Sequence, residues 1–430
     1  MRILRYTDAA YAEEIQRLNR RPEASVAVRD LVSSVIGEIR QRGDAALVDF
    51  TRKFDGVELS PAELRIPMEM MVDALGALDP EVRAALVASR QNVTAFAHQS
   101  LRKDWRMTNQ QGGEVGEIFH AFDRVGIYVP GGTAPLVSTA IMTVTFAAAA
   151  GCSEIVVCTP CGKKGTVDSN LLAALKLAGA TEVYRIGGAQ AIAAMAFGTQ
   201  TIKPVTKVFG PGNGYVVEAK RQCFGVVAVD LLPGPSEIMV LADKSAQPAF
   251  IAADLLAQAE HGKDSGVVLV TDDEALLQCV VREIEVQSAH LSRQQMVRGV
   301  LDKACVLVLV PNLEEGVNLV NDYAPEHLSL ITSRENEILP LVRGAGAIFL
   351  GNYSPVAVGD FLAGPSHTLP TGGSGKSFPG ITADMFQRRT SFVRLSRDAC
   401  ARSGSLVRAF SEIEGLDAHG ASVSIRSAAN

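Results

Sequence analysis

Val125-Gly-Ile-Tyr-Val129, followed at short intervals by Ile155-Val-Val157, Glu182-Val-Tyr-Arg-Ile186, Lys207-Val-Phe209 and Val226-Val-Ala-Val229, is the run of sequence on which the fold turns. Each segment is short and rich in β-branched or aromatic residues, and each is separated from the next by apolar residues at helical spacing. Strands that alternate with helices cross over right-handedly and build a parallel sheet. A second set follows Pro233-Gly-Pro-Ser-Glu237: Ile238-Met-Val-Leu241, Gly266-Val-Val-Leu-Val270, Cys305-Val-Leu-Val-Leu-Val310, His327-Leu-Ser-Leu-Ile331 and Ala347-Ile-Phe-Leu350. The expected fold is α/β, with two tandem Rossmann-like parallel-sheet units, a helical N-terminal segment and a small C-terminal tail domain.

Residues 1–115 read mainly as helix, with apolar residues three and four apart in 26–39 and 82–96 and a start signal at Asp79-Pro80. The expected organisation is an N-terminal helical arm (1–30), a substrate and metal domain (31–122 with 237–375), a nucleotide-binding unit (123–236) and a tail (376–430). The stretch 361–381, rich in Gly, Pro and Ser, has the composition of a functional loop or linker. The tail carries a helical pattern around 405–413 and a short final run, Ala421-Ser-Val-Ser-Ile425, and is too small to bury a core of its own.

A chain of 430 residues exceeds the size at which one hydrophobic core keeps growing, so more than one core is expected. With 47% hydrophobic and 20% charged residues it is composed like an ordinary globular enzyme. A net charge of -6 and a pI near 5.7 supply no basic field for a phosphate backbone, which argues against a nucleic-acid partner. The first residues lack the apolar core of a signal peptide, and no apolar run reaches the length of about 18 that spans a membrane. Seven cysteines are too sparse for a disulfide framework, so a cytoplasmic location is expected, with no membrane partner. Cys158-Thr-Pro-Cys161 has redox-dithiol spacing, but following an apolar run it reads more simply as a strand end entering a loop.

Four elements carry side chains suited to chemistry. Gln258 and His261 lie three apart near the C-terminal end of an apolar helix, so they share one face, and an imidazole with an amide oxygen can hold a metal. A histidine there is also favoured by the helix dipole alone. Ala324-Pro-Glu-His327 presents a carboxylate and an imidazole at a strand edge, fit for proton transfer, although a polar strand start facing solvent has the same look. Asp360 follows a predicted strand, where an aspartate also serves as a turn residue. Glu414 and His419 lie in the tail. Two histidines and an aspartate are an ordinary catalytic zinc set, with Glu326 and His327 left for acid–base work, as in a dehydrogenase or a zinc hydrolase. Three glycine-rich turns, at 129–133, 187–190 and 209–214, offer backbone amides to phosphates. None has the Gly-x-Gly-x-x-Gly pattern with an acid about 20 residues on.

Tyr128-Val-Pro-Gly-Gly-Thr-Ala-Pro135, Gly187-Gly-Ala-Gln-Ala-Ile-Ala193, Phe209-Gly-Pro-Gly-Asn213, Gly234-Pro-Ser-Glu237, Ala252-Ala-Asp-Leu-Leu-Ala-Gln-Ala-Glu-His-Gly262, Tyr323-Ala-Pro-Glu-His-Leu328, His367-Thr-Leu-Pro-Thr371 and Glu414-Gly-Leu-Asp-Ala-His419 run in order along nearly the whole chain. Together they resemble the signatures of the histidinol dehydrogenase family. The resemblance implies an NAD-dependent alcohol dehydrogenase that oxidises L-histidinol through an aldehyde to L-histidine, or a member acting on another small polar alcohol. It implies one zinc per subunit, held by Gln258, His261, Asp360 and His419 and also bound by the amine and imidazole nitrogens of the substrate. His327 would be the general base and Glu326 would activate water. Ser236, Glu414 and His367 would contact substrate, and Tyr128, Gln190 and Asn213 would contact NAD. A homodimer with intertwined tails is implied, carrying Glu414 and His419 into the partner's site. Two stretches depart from the family pattern, a shorter segment before Val226 and an atypical loop at 372–381.

Overall fold

The computed structural model describes residues 1–18, 24–131 and 135–428. In chain order its strands are β1 (Arg2–Arg5), β2 (Trp105–Thr108), β3 (Glu114–Ala121), β4 (Arg124–Tyr128), β5 (Glu154–Thr159), β6 (Glu182–Arg185) and β7 (Lys207–Phe209). They continue with β8 (Ala228–Val229), β9 (Glu237–Ala242), β10 (Gly266–Thr271), β11 (Cys305–Leu309), β12 (His327–Ile331), β13 (Ala347–Leu350) and β14 (Gln387–Arg394).

Two parallel sheets dominate, as the alternating pattern predicts. The first has the order β6-β5-β4-β7-β8, and the second β1-β11-β10-β9-β12-β13. In both, the strand that comes first in the unit lies in the middle, and the chain leaves it first to one side and then to the other. That reversal makes a crevice beside the central strand. Residues of β4, β9 and β10 are buried throughout, which is why they read as unbroken apolar runs and not as alternating ones. Burying each Val, Leu or Ile of such a strand contributes about 1.5–3 kcal/mol.

The N-terminal half departs from expectation in three ways. Residues 1–30 are not wholly helical, because β1 joins the edge of the second sheet, pairing Arg2 to Arg5 with Val306 to Leu309. The segment 31–122 does not join 237–375. Its helices pack on the first sheet, with Val32, Ile39, Leu47 and Leu64 against Tyr184 and Ile192 on one face and Met71, Val93 and Ala97 in the core of the other. The tail, third, is anchored: β14 pairs antiparallel with β3 along eight residue pairs, and β2 completes that small sheet. Beyond it, helices Arg397–Glu414 and Asp417–Ala428 fold back on each other at Gly415, so the final run around 421–425 is helical.

The stretch 361–381 is built into the second unit. Ser366 and Thr368 are buried, Thr371 Oγ1 binds the Gly234 amide, and the Gly372 amide donates to Glu237 Oε1 at 2.9 Å. Part of the first glycine-rich turn, 132–134, lies outside the described residues. No helix among the described residues is long and apolar enough to cross a membrane.

Candidate active site

Ser236 and Glu237 stand at the start of β9, Glu326 and His327 at the start of β12, and these strands are neighbours in register, with His327 opposite Ile238. The turn into β12 begins at Ala324, the only non-glycine residue with positive φ among the described residues (φ +51). That strained conformation caps helix Leu313–Tyr323 and lets Pro325 direct the next two side chains into the site.

Glu326 and His327 are buried. Glu326 Oε2 accepts from Ser236 Oγ at 2.5 Å and from the Glu237 amide at 2.9 Å. Burial nevertheless pushes its carboxyl up to about 8. His327 Nδ1 lies 3.1 Å from the Glu237 carbonyl, an acceptor, so Nδ1 carries the proton and the lone pair falls on Nε2. Nε2 is buried with no hydrogen-bond partner and lies 3.7 Å from Asp360 Oδ1. Burial holds this imidazole below its ordinary value, and therefore neutral.

Gln258 and His261 emerge at the C-terminal end of helix Pro248–Ala259, which returns antiparallel from β9 and so ends beside the starts of β9 and β12. Gln258 Nε2 donates to Ser236 Oγ at 2.8 Å, leaving Gln258 Oε1 buried and unpartnered. Asp360, near the end of helix Val356–Phe361, lies 3.8 Å from His261 Nε2. The adjacent carboxylate raises His261. Burial pushes the Asp360 carboxyl up, but the imidazoles of His261, His327 and His367 more than offset this and hold it below its usual range. Two helix C-termini thus converge on this point, an electrostatic setting that favours a cation.

Ser236, Gln258, His261, Glu326, His327 and Asp360 are brought together. Among the described residues no three His, Cys, Asp or Glu side chains gather as a metal-binding group, because His261 and Asp360 are joined within the chain only by the amide of Gln258. Glu414 and His419 are exposed on the tail and line none of the cavities at the site. His367 borders the cavity beside His327, but both its nitrogens are engaged, Nδ1 with the Asp360 carbonyl at 2.9 Å and Nε2 with Thr139 Oγ1 at 2.8 Å. It ties the second unit to a helix of the first.

A cleft of about 930 Å³ joins the units, lined by Ser236 and His261 from one and Asn213 from the other. A further cavity of about 730 Å³ opens at the carboxyl ends of β4, β5 and β6 and is lined by Tyr128, Gln190 and, again, Asn213. Asn213 Oδ1 caps helix Gly214–Cys223, accepting from the Tyr215 and Val216 amides. The Tyr128 hydroxyl accepts from the Gly188 amide at 3.0 Å. Gly210 (φ +108) sits so close that a Cβ there would lie 2.1 Å from the Tyr128 carbonyl oxygen. Its amide donates to Asp230 Oδ2 and its carbonyl accepts from Lys220 Nζ, two ionised groups wholly buried against each other. Cys158 and Cys161 are free and buried, and burial pushes both thiols up, Cys158 to about 12, which removes redox chemistry from that pair.

Two buried carboxyls escaped the sequence reading. Glu237 accepts from the Tyr323 hydroxyl at 3.1 Å and is pushed up to about 7 by burial and by Glu326. Asp254, one turn before Gln258, is pushed up to about 6 by burial. Both lie inside quoted motifs, and only their burial among apolar neighbours distinguishes them.

Similarity follows the geometry. The family model described as histidinol dehydrogenase matches residues 18–427. The histidinol dehydrogenase of Geobacillus kaustophilus is 42% identical over 398 residues, covering 93% of each chain, and that of Syntrophotalea carbinolica is 40% identical over 427 residues, covering 99% of each. The crystal structure of histidinol dehydrogenase from Elizabethkingia anophelis superposes with a TM-score of 0.94 at 34% identity, over 99% of this chain and 98% of that one. With matches that span both units and the tail, the chain belongs to the histidinol dehydrogenase family of oxidoreductases.

Proposed function

We propose that the protein carries out the NAD-dependent, zinc-requiring four-electron oxidation of L-histidinol through L-histidinal to L-histidine, the last steps of histidine biosynthesis. The observation that carries the reading is the buried, unpartnered Nε2 of a neutral His327, oriented by the Glu237 carbonyl and set beside an equally unpartnered Gln258 Oε1.

The donor set fits a metal: an orphaned amide oxygen, an imidazole and a carboxylate within the chain, with His419 as the fourth ligand. Zinc bound there would fix the amine and imidazole nitrogens of the substrate and so present its hydroxyl. NAD, when bound, accepts a hydride in each of the two oxidations. His327 Nε2 takes the hydroxyl proton as the first hydride leaves, giving the aldehyde. In the second stage Glu326 takes a proton from water as its oxygen bonds to the aldehyde carbon, and the resulting diol gives up the second hydride and ends as carboxylate. One histidinol, one water and two NAD yield histidine, two NADH and three protons. Its raised pKa suits Glu326 to this work, because a base titrating near the working pH transfers protons efficiently.

The tail supports a homodimer. Leu406, Phe410 and Ile413 are exposed on its long helix, and Glu414 and His419 follow them without a role in their own chain. A partner site would employ all five.

Purified protein supplied with zinc, NAD and L-histidinol is expected to form NADH and histidine at alkaline pH. A metal-loaded dimer inert in that mixture would refute the assignment, and activity on a different small alcohol but none on histidinol would reassign the substrate.

A further inference from the structure

An ordinary dinucleotide site keeps an acidic residue about 20 residues after its first glycine turn, at the end of the adjoining strand, where it binds the adenosine ribose. Here the adjoining strand β5 runs into Thr159, Pro160 and Cys161, and none is acidic. A carboxylate reaches the same place from outside the sheet. Asp55 ends the π-helical turn Thr51–Asp55, a form found mostly at functional sites, and Gly56 in the left-handed conformation (φ +70) turns the chain away. Phe54 and Asp55 thereby line the 730 Å³ cavity together with Tyr128, Pro160 and Cys161. Asp55 Oδ2 is buried there without a hydrogen-bond partner. Such an oxygen costs free energy that the packing of the chain does not recover, a cost tolerable where a ligand completes the bond.

We propose that Asp55 recognises the adenosine ribose of NAD, accepting hydrogen bonds from its hydroxyls and repelling the 2′-phosphate of NADP. The inference rests on the NAD reading above. The cavity also supplies the direction of binding. Asn213 borders both this cavity and the cleft that holds Ser236 and His261, and the reacting nicotinamide belongs beside those groups, so the adenosine end falls at Asp55. Phe54, 45% exposed, offers its ring to the adenine from the same turn. Lys163 lines the same cavity and is the competing feature, since a cation there would welcome a phosphate.

The test uses full-length, zinc-loaded protein and the variants Asp55→Ala and Asp55→Asn, with NAD and NADP as cofactors and 5′-AMP and 2′,5′-ADP as competitive inhibitors. Wild type is expected to prefer NAD and to bind 5′-AMP over 2′,5′-ADP. Asp55→Ala is expected to raise the KM for NAD and the inhibition constant of 5′-AMP by about 10- to 100-fold, the change falling on KM and not on kcat. Asp55→Asn keeps an acceptor and loses the charge, so it narrows the preference for NAD over NADP. Because an unpartnered carboxylate is removed, the Tm of both variants stays level or rises. A folded Asp55→Ala protein with unchanged KM and unchanged 5′-AMP inhibition would overturn the proposal, as would a wild type that prefers NADP. A wild type that binds neither dinucleotide would instead bring down the NAD reading itself.

Discussion

The amino ends of the two central sheets are put to opposite uses. In the first unit, Arg124 at the start of β4 joins Glu154 at the start of β5 and Glu182 at the start of β6, with Nη1 and Nη2 donating to Glu182 at 2.7 and 3.0 Å. Every charge there is paired, and the end is closed. In the second unit the corresponding ends of β9 and β12 carry Ser236, Glu237, Glu326 and His327, with His327 Nε2 left unpaired. The first unit works at its carboxyl ends, where its glycine turns and its cavity lie. Two sheets of the same strand order therefore meet with opposite ends facing, and the helices that return from the strands of the second bring Gln258, His261 and Asp360 to the same place. Strand order alone does not fix which end of an α/β sheet becomes the reactive one. What fixes it is where unpaired polar groups are left and where paired ones close the surface.

The contrast can be tested most severely at His327. Exchange for Asn keeps a donor toward the Glu237 carbonyl but removes the basic nitrogen, and turnover is expected to fall by about 10²- to 10⁴-fold with zinc content unchanged. Parallel metal analysis and steady-state rates decide it, and undiminished turnover would strip the residue of its role. Glu326→Gln should act on the second oxidation alone, slowing it roughly 10²-fold, so that NADH per histidinol falls from two toward one and trapped aldehyde accumulates.

The first unit should answer in stability. Lys220→Met leaves Asp230 buried and unpaired, which is expected to cost about 3–5 kcal/mol in chemical denaturation and to raise the KM for NAD as the Gly210 turn loosens. Glu182→Gln is the mildest change, at about 1.5–3 kcal/mol near neutral pH. The hydrogen bonds from Arg124 lower the Glu182 carboxyl from 4.5 to about 2 in the folded protein. A depressed carboxylate stabilises fully above its unfolded value and loses that contribution as the pH falls toward the folded one. The gap between wild type and Glu182→Gln should therefore be constant above pH 4.5 and close between there and about 2, and a gap that widened in acid would contradict the paired-end reading.

Much of this was legible in the chain. Buried parallel strands are continuous apolar runs, so the five strands of the first unit and five of the second could be marked in sequence, as could Glu326 and His327 after Pro325. Segments whose structure depends on distant partners were not legible. β1 is four residues long and is a strand only because β11 offers an edge. β2 is exposed at every residue and shows no alternation. The helices of 31–122 announce a buried face, but amphipathic spacing does not name the surface that covers it, and they went to the wrong sheet. Glu237 and Asp55 were passed over because a carboxylate in sequence carries no sign of burial. That Glu326 and His327 face the carboxyl ends of the other sheet is a tertiary fact no tetrapeptide contains.

The central claim is that the first unit delivers NAD to a base presented from the amino end of β12. Its most direct test is the geometry of a crystal structure with zinc, L-histidinol and NAD bound. The account predicts the substrate hydroxyl within about 2.6–3.2 Å of His327 Nε2, with the nicotinamide entering from the Asn213 side of the cleft. A hydroxyl paired elsewhere, or a dinucleotide seated on the carboxyl ends of the second sheet, would contradict it.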